Sequence, residues 1–261
     1  MKHQPRKRFG QHFLHDNHII QQIVATLAPQ PDQHLIEIGP GQGALTLPVL
    51  RQAKQLEAIE LDRDLIAPLQ ERCRDVGVLQ IHVGDILKFN LTQLKTDARL
   101  LRIFGNLPYN ISTPLIFHLL SFTDIIADML FMLQKEVAER LAAPVNSDHY
   151  GRLSVMVQYH CEVQLLFNVP ASAFQPPPQV ESSIVRLLPR TISAPARDDK
   201  LFSDIVKHAF GQRRKTLRNS LRDFISDDAW KNMPVSPQAR AENVSVDEFV
   251  MMSNLINKYL K

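Results

Sequence analysis

The sequence predicts an α/β fold, a doubly wound parallel sheet followed by a small all-helical domain. Three observations predict it. Short apolar runs alternate with helical periodicities from residue 35 to residue 142, as in parallel strands joined by crossover helices. The first run, Leu35 to Ile38, passes at once into Gly39, Gly41 and Gly43 and then into a helical pattern. Residues 189–199 are rich in proline, small and charged residues, and helical patterns follow them. The expected organisation is therefore a catalytic domain over 1–190, a linker over 191–199 and a helical domain over 200–261.

Composition narrows the class. The chain has 261 residues, 44% hydrophobic and 22% charged, with a net charge of +3. That suits one large domain or one large and one small. Cys73 and Cys161 lie far apart, with no metal-ligand spacing and no disulfide framework, which points to a reducing cytoplasm and no metal. The basic N-terminus lacks the apolar segment of a signal peptide, and no run approaches a membrane span.

The elements follow in order. Ile19, Ile20, Ile23, Val24 and Leu27 recur at helical spacing, and Pro29 and Pro31 end that helix. Strands are expected near 35–38, 56–60, 78–82, 100–104 and 126–132, with helices near 43–53, 62–73, 113–121 and 134–142. Residues 143–150 are polar and proline-punctuated, an expected flexible loop near the site, and 183–187 reads as a closing strand. In the last domain Leu201, Ile205, Ala209 and Phe210 share a helical face, while Trp230 and a helix over 246–259 supply core.

Polar candidates fall at the carboxyl ends of four strands, where ligands of such sheets bind. Gly39, Gly41 and Gly43 permit a tight turn against which a ligand can lie, with free N–H groups of a helix start behind them. The spacing is G-x-G-x-G, and Glu37 places a negative charge before it. That disfavours a pyrophosphate and suits a ligand with a positive centre such as a sulfonium. Glu60 ends the next strand, where a carboxylate suits the two ribose hydroxyls. Asp85 admits two readings, an acceptor for an adenine amino group or a turn cap after Gly84.

Asn106-Leu107-Pro108-Tyr109 is the most specific tetrad in the chain. The lone pair of an adenine amino nitrogen is delocalised into the ring, so its methylation requires that the amine be held and turned. The Asn106 amide oxygen and the Leu107 carbonyl are two acceptors for that task. Pro108 restricts Leu107 to extended conformations and aims the carbonyl. Tyr109 can stack on a base taken out of its helix.

Together the glycine segment, Glu60, Asp85 and the tetrad resemble the ribosomal RNA adenine dimethyltransferase family. Phe9-Gly10-Gln11-His12-Phe13-Leu14, Asn110-Ile111-Ser112, Gln134-Lys135-Glu136 and Tyr150-Gly151-Arg152-Leu153-Ser154 strengthen the resemblance, which covers about residues 7–259. It is closest to the bacterial branch that dimethylates two adjacent adenosines near the 3′ end of small-subunit rRNA. The resemblance implies a Rossmann-like S-adenosylmethionine methyltransferase domain. It implies that His12 and Leu14 line the methionine side of the cofactor, that Glu37, Gly39, Gly41 and Gly43 form its cradle, and that Glu60 and Asp85 hold ribose and adenine. Asn106 would touch both cofactor and target amine. The family usually has Asn where this chain has His12. The resemblance also reads Phe174, in the proline-rich stretch Phe174 to Ser183, as a base clamp opposite Tyr109.

Two basic clusters suit an RNA backbone. Arg6, Lys7 and Arg8 lie in an arm over 1–14 expected to dock on the cofactor crevice. Arg213, Arg214, Lys215, Arg218 and Arg222 carry five positive charges with no acid among them. Leu217 and Leu221 sit four apart and mark the packed face. The expected partner is small-subunit rRNA in a precursor small ribosomal subunit, and the expected state is a monomer. Three alternatives remain: a large-subunit rRNA methyltransferase of the macrolide-resistance type, a DNA adenine methyltransferase, and a mainly non-catalytic ribosome assembly factor. The second lacks its usual Asp/Asn-Pro-Pro-Tyr/Phe here.

Overall fold

In a computed structural model, residues 12–212 and 214–259 are described. They pack as two compact units, one of residues 1–138 and 163–189 and one of 139–162 and 190–261. One break between the units falls at residue 190. Residues 139–162, expected in the catalytic domain, pack with the C-terminal helices instead.

The first unit is built on a seven-stranded sheet. Its strands are β2 (His34–Ile38), β3 (Gln55–Glu60), β4 (Val78–Val83), β5 (Leu101–Asn106), β6 (Ile126–Gln134), β7 (Cys161–Val169) and β9 (Ser182–Pro189), in the order β4-β3-β2-β5-β6-β9-β7. A separate pair joins β1 (Phe13–Leu14) and β8 (Phe174–Gln175) antiparallel. The five strands β4, β3, β2, β5 and β6 run parallel. β9 runs antiparallel to β6, with Ser182 opposite Gln134 and Ile184 opposite Met132. The parallel expectation thus holds for the five strands that carry the site, and the closing strand expected over 183–187 is β9, which runs antiparallel.

Helices α1 (Asn17–Leu27), α2 (Thr46–Ala53), α3 (Arg63–Cys73) and α4 (Ser112–Leu120) connect or flank the strands. β2 is buried along its whole length, its apolar Leu35, Ile36 and Ile38 interrupted by Glu37. Asp16 caps α1 by accepting from the His18 and Ile19 N–H groups. The core beneath α1 and α2 joins Ile23, Leu27, Leu35, Leu50, Phe104 and Leu130.

β2 has β3 on one side and β5 on the other, so the strand order reverses between β2 and β5. That switch point opens a crevice at the strand carboxyl ends. Gly105 makes its wall possible. A Cβ there would stand 2.4 Å from the Ile38 carbonyl oxygen, so only glycine lets the end of β5 lie against β2.

The second unit contains the end of α5 (Lys135–Ala142), α6 (Arg152–His160), α7 (Asp199–Gly211), the short α8 (Leu217–Ser220) and α9 (Val246–Tyr259). The buried face of α7 is Phe202, Ile205, Val206 and Ala209, so the expected Ile205 and Ala209 are buried while Leu201 and Phe210 are only half-buried. Residues 143–150 are not free in this unit. The Asn146 N–H donates to Glu242 O at 2.9 Å, Asn243 Nδ2 to Asn146 Oδ1 at 2.9 Å and the Tyr150 hydroxyl to Val244 O at 2.9 Å. The polar composition that suggested a flexible loop serves these bonds.

Candidate active site

The crevice encloses about 370 Å³, a size that suits a small ligand. Its floor is the glycine turn. Gly39, Gly41 and Gly43 have φ of +65°, +57° and +82°, a region closed to most side chains. Gly39 and Gly41 line the cavity and Gly43 does not. Gly43 is a structural glycine: its N–H donates to Pro40 O at 2.9 Å, and a Cβ would stand 2.5 Å from Leu69 Cδ1. Its expected place in the cofactor cradle is therefore corrected to a role in shaping the turn.

Two carboxyls sit under this turn. Glu37 is 2% exposed, lines the cavity, and its Oε2 has no hydrogen-bond partner. Burial pushes its pKa up to about 8, and the nearby Glu60 charge adds to the shift. Glu60 is held by main chain. Its Oε2 accepts from Gly41 N–H at 3.2 Å and its Oε1 from Asp62 N–H at 2.8 Å. Burial raises the Glu60 pKa, and these bonds oppose the rise. Each oxygen keeps acceptor capacity toward the cavity. Asp85 caps a turn and also lines the cavity. Its Oδ1 accepts from Leu87 N–H at 3.0 Å. Leu61 and Ile86, apolar walls not singled out from sequence, directly follow Glu60 and Asp85.

The opposite wall is the tetrad. Asn106 is the last residue of β5 rather than a residue beyond it. Its Nδ2 donates to the His12 main-chain oxygen at 3.0 Å. A carbonyl can only accept, so this bond fixes the orientation of the amide and leaves Oδ1 to accept. The Leu107 N–H donates to Met132 O at 3.2 Å, its side chain is buried, and the residue lines the cavity. The Tyr109 phenol shares a 2.7 Å hydrogen bond with Ser182 Oγ, and burial raises its pKa. The His12 ring stacks on Tyr109 at 5.6 Å between centroids and 28° between planes. His12, Phe13, Leu14, Pro108 and Tyr109 all line the cavity.

Phe174 is not part of this wall. It is 1% exposed and belongs to the core that includes Leu14 and Ile184. The β1–β8 register explains why. Leu14 lies opposite Phe174 and Phe13 opposite Gln175, and directly opposed residues point to one face. Leu14 and Phe174 therefore turn inward together, leaving Phe13 near Gly41. The expected base clamp at Phe174 is corrected to a core anchor.

The basic clusters divide likewise. Arg6, Lys7, Arg8 and Arg213 lie outside the described residues. Leu217 and Leu221 are buried in the second unit, as their spacing predicted. Arg218, however, pairs with Asp227, Nε to Oδ1 at 3.0 Å and an NH2 nitrogen to Oδ2 at 2.9 Å. Arg222 lies 3.7 Å from Asp223. Arg214 and Lys215 are exposed, and no ion pair to either is found among the described residues.

Residues 2–258 match the family described as ribosomal RNA adenine dimethylase. The chain belongs to that family. It is 55% identical over 257 residues to ribosomal RNA small subunit methyltransferase A of Chromohalobacter salexigens, covering 97% of this chain and 91% of that one. It is 52% identical to the protein of the same description from Hydrogenovibrio crunogenus, covering 98% of each. Among solved structures, a dimethyladenosine transferase from Plasmodium falciparum superimposes with a TM-score of 0.78 at 26% identity, covering 95% of this chain and 98% of that one. The 23S rRNA methyltransferase ErmE, at 22% identity and a TM-score of 0.71, covers 94% of this chain and 99% of its own and shows the shared fold. As a ribosomal RNA adenine dimethylase, the protein is an S-adenosylmethionine-dependent methyltransferase with a Rossmann-like fold. No helix among the described residues is long and apolar enough to cross a membrane.

Proposed function

We propose that the protein dimethylates the amino nitrogens of two adjacent adenosines near the 3′ end of small-subunit rRNA, acting on a precursor small ribosomal subunit as a cytoplasmic monomer. The observation that carries this reading is the bond from Asn106 Nδ2 to His12 O, in a residue that lines the crevice, which leaves Oδ1 available as an acceptor. An acceptor fixed there can hold an amine N–H, and the Leu107 carbonyl is a second.

The crevice also fits the methyl donor. S-adenosylmethionine supplies an electrophilic methyl group on a sulfonium sulfur. Glu37, buried and with an unpartnered oxygen, suits the donor's positive end, and charge there would draw its carboxyl toward ionisation. Glu60, braced by the Gly41 and Asp62 amides, offers acceptors to a ribose diol. Asp85 has an oxygen beyond its cap for an adenine amino group, between Leu61 and Ile86. Asn106 and Leu107 orient the target amine so that its lone pair meets the methyl carbon, and Tyr109 supports the base. Positioning supplies most of the rate, since no strong base is needed to use a neutral amine. After the first transfer one N–H remains, so the site holds the base for the second with a single acceptor.

The test is methyl transfer from labelled S-adenosylmethionine to undermethylated small ribosomal subunits, with large subunits and bare DNA as controls and nucleoside analysis of the product. Dimethyladenosine only with small subunits is expected. Transfer to large subunits, or binding without transfer, overturns the reading.

A further inference from the structure

The proline-rich stretch 174–183 has no base clamp in Phe174, yet it touches the site at two points. The His12 Nδ1 lies 2.8 Å from the Pro176 carbonyl oxygen. A carbonyl only accepts, so Nδ1 carries the hydrogen and the imidazole is held by this bond. At the other end, Ser182 Oγ lies 2.7 Å from the Tyr109 hydroxyl. The stretch therefore grips both rings of the stacked pair from two positions six residues apart.

Its own ends are fixed. Phe174 is buried in the core, and β8 pairs with β1. The Lys135 N–H donates to Glu181 O at 3.0 Å, Lys135 Nζ meets the Glu181 carboxylate at 2.9 Å, and Ser182 pairs with Gln134 in the sheet. Ser182 is 0% exposed, so its hydroxyl has a fixed place from which to hold the phenol.

The ring spacing decides where a base can go. Inserting an adenine between two rings takes about 6.8 Å, two stacking layers of about 3.4 Å. His12 and Tyr109 stand 5.6 Å apart between centroids. A base has no room between them, so one that stacks on Tyr109 must use its other face, with His12 as backing.

We propose that Ser182 is a positioning residue for methyl transfer, holding the Tyr109 ring in the plane on which the target adenine stacks while the Pro176 carbonyl holds His12 behind it. This rests on the reading of Tyr109 as the base platform.

The experiment is a double-mutant cycle of Ser182→Ala and Tyr109→Phe on the full chain, with small ribosomal subunits as substrate. A hydrogen bond of ordinary net value predicts a loss of about tenfold in kcat for each variant, with KM for S-adenosylmethionine unchanged. Both remove the same bond, so the double variant falls no further than the worse single variant. Ser182→Thr, which keeps the hydroxyl, restores most of the loss. If Ser182→Ala fails to fold, Tyr109→Phe removes the bond from a half-buried side chain. Losses that multiply to about a hundredfold, or a Tyr109→Phe enzyme with wild-type kcat, overturn the assignment. A wild-type chain that transfers no methyl group sinks the platform reading itself, so the two failures are distinguishable.

Discussion

The strand-end crevice and the basic segment of residues 214–222 handle charge in opposite ways. In the crevice, charge and dipole are placed by burial and by main-chain bonds. Glu60 sits between two amides, Asn106 is tied to His12 O, and Glu37 is sealed under a glycine turn. In the basic segment the guanidinium groups are exposed, and the fold brings acids to some of them and not to others. The first region can therefore specify an atom. The second can supply attraction without choosing a geometry. Substitutions should separate the two regions by what they change, rate in one and affinity in the other.

The largest expected effect is at Asn106. Asn106→Ala removes the side-chain acceptor proposed for the target amine. We expect kcat to fall by at least about 10²–10³-fold, the scale for losing one preorganised polar group at a reacting centre. Affinity for small subunits should change little, because the residue lies in the crevice and carries no charge. Near-normal turnover in this variant would erase the difference between the regions.

Legibility in the sequence follows the same division between local and distant. The glycine turn between β2 and α2 could be read because it lies in one stretch whose residue types are demanded by positive φ. The tetrad could be read because proline and asparagine restrict their own neighbours. The antiparallel closing strand could not, since Ser182 to Pro189 has the same apolar pattern in either direction. Nor could the placing of 139–162 with the second unit, to which Tyr150 and Asn146 contribute by bonding to Val244 and Asn243. The pairing of Tyr109 with Ser182 spans 73 residues and leaves no local mark. Phe174 failed for a related reason. An aromatic next to prolines suits a clamp and a core anchor equally, and the strand register decides.

Phe174→Ala tests that correction. A fully buried phenylalanine cut to alanine destabilises by about 3–5 kcal/mol. We expect a loss of that size in urea unfolding, with the folded fraction retaining kcat at low temperature. A stable variant with crippled turnover would return Phe174 to the base site.

Glu37 sharpens the contrast further, because the crevice's charge titrates where that of arginine does not. Its carboxyl is raised from 4.5 to about 8 in the folded chain. Between those values the folded state holds a proton that the unfolded state has released. Stability without ligand should therefore fall as pH rises from about 4.5 to about 8, by at most about 1.4 kcal/mol per unit, and level off above. Glu37→Gln cannot ionise and should lack this slope. Melting temperatures of the two proteins from pH 5 to 8.5 should diverge steadily in favour of the variant. Parallel curves would mean that the carboxyl is not held neutral.

The smallest effects belong to the basic segment, and they should differ within it. Each cation that neutralises a phosphate steepens the salt dependence of binding by about 0.7–0.9 in the log–log slope. Arg214 and Lys215 have no acidic partner among the described residues, so Arg214→Gln or Lys215→Gln should each remove about that much. Arg218 already faces Asp227, and a phosphate would have to compete with that carboxylate. Arg218→Gln should therefore flatten the slope less, and Asp227→Asn should steepen it by freeing the guanidinium. The measurement is small-subunit affinity across salt concentrations, with kcat recorded alongside. Equal slopes for Arg214→Gln and Arg218→Gln would mean that the ion pair opens at no cost on binding. Unchanged slopes in all four variants would leave the segment an exposed basic face that RNA does not use.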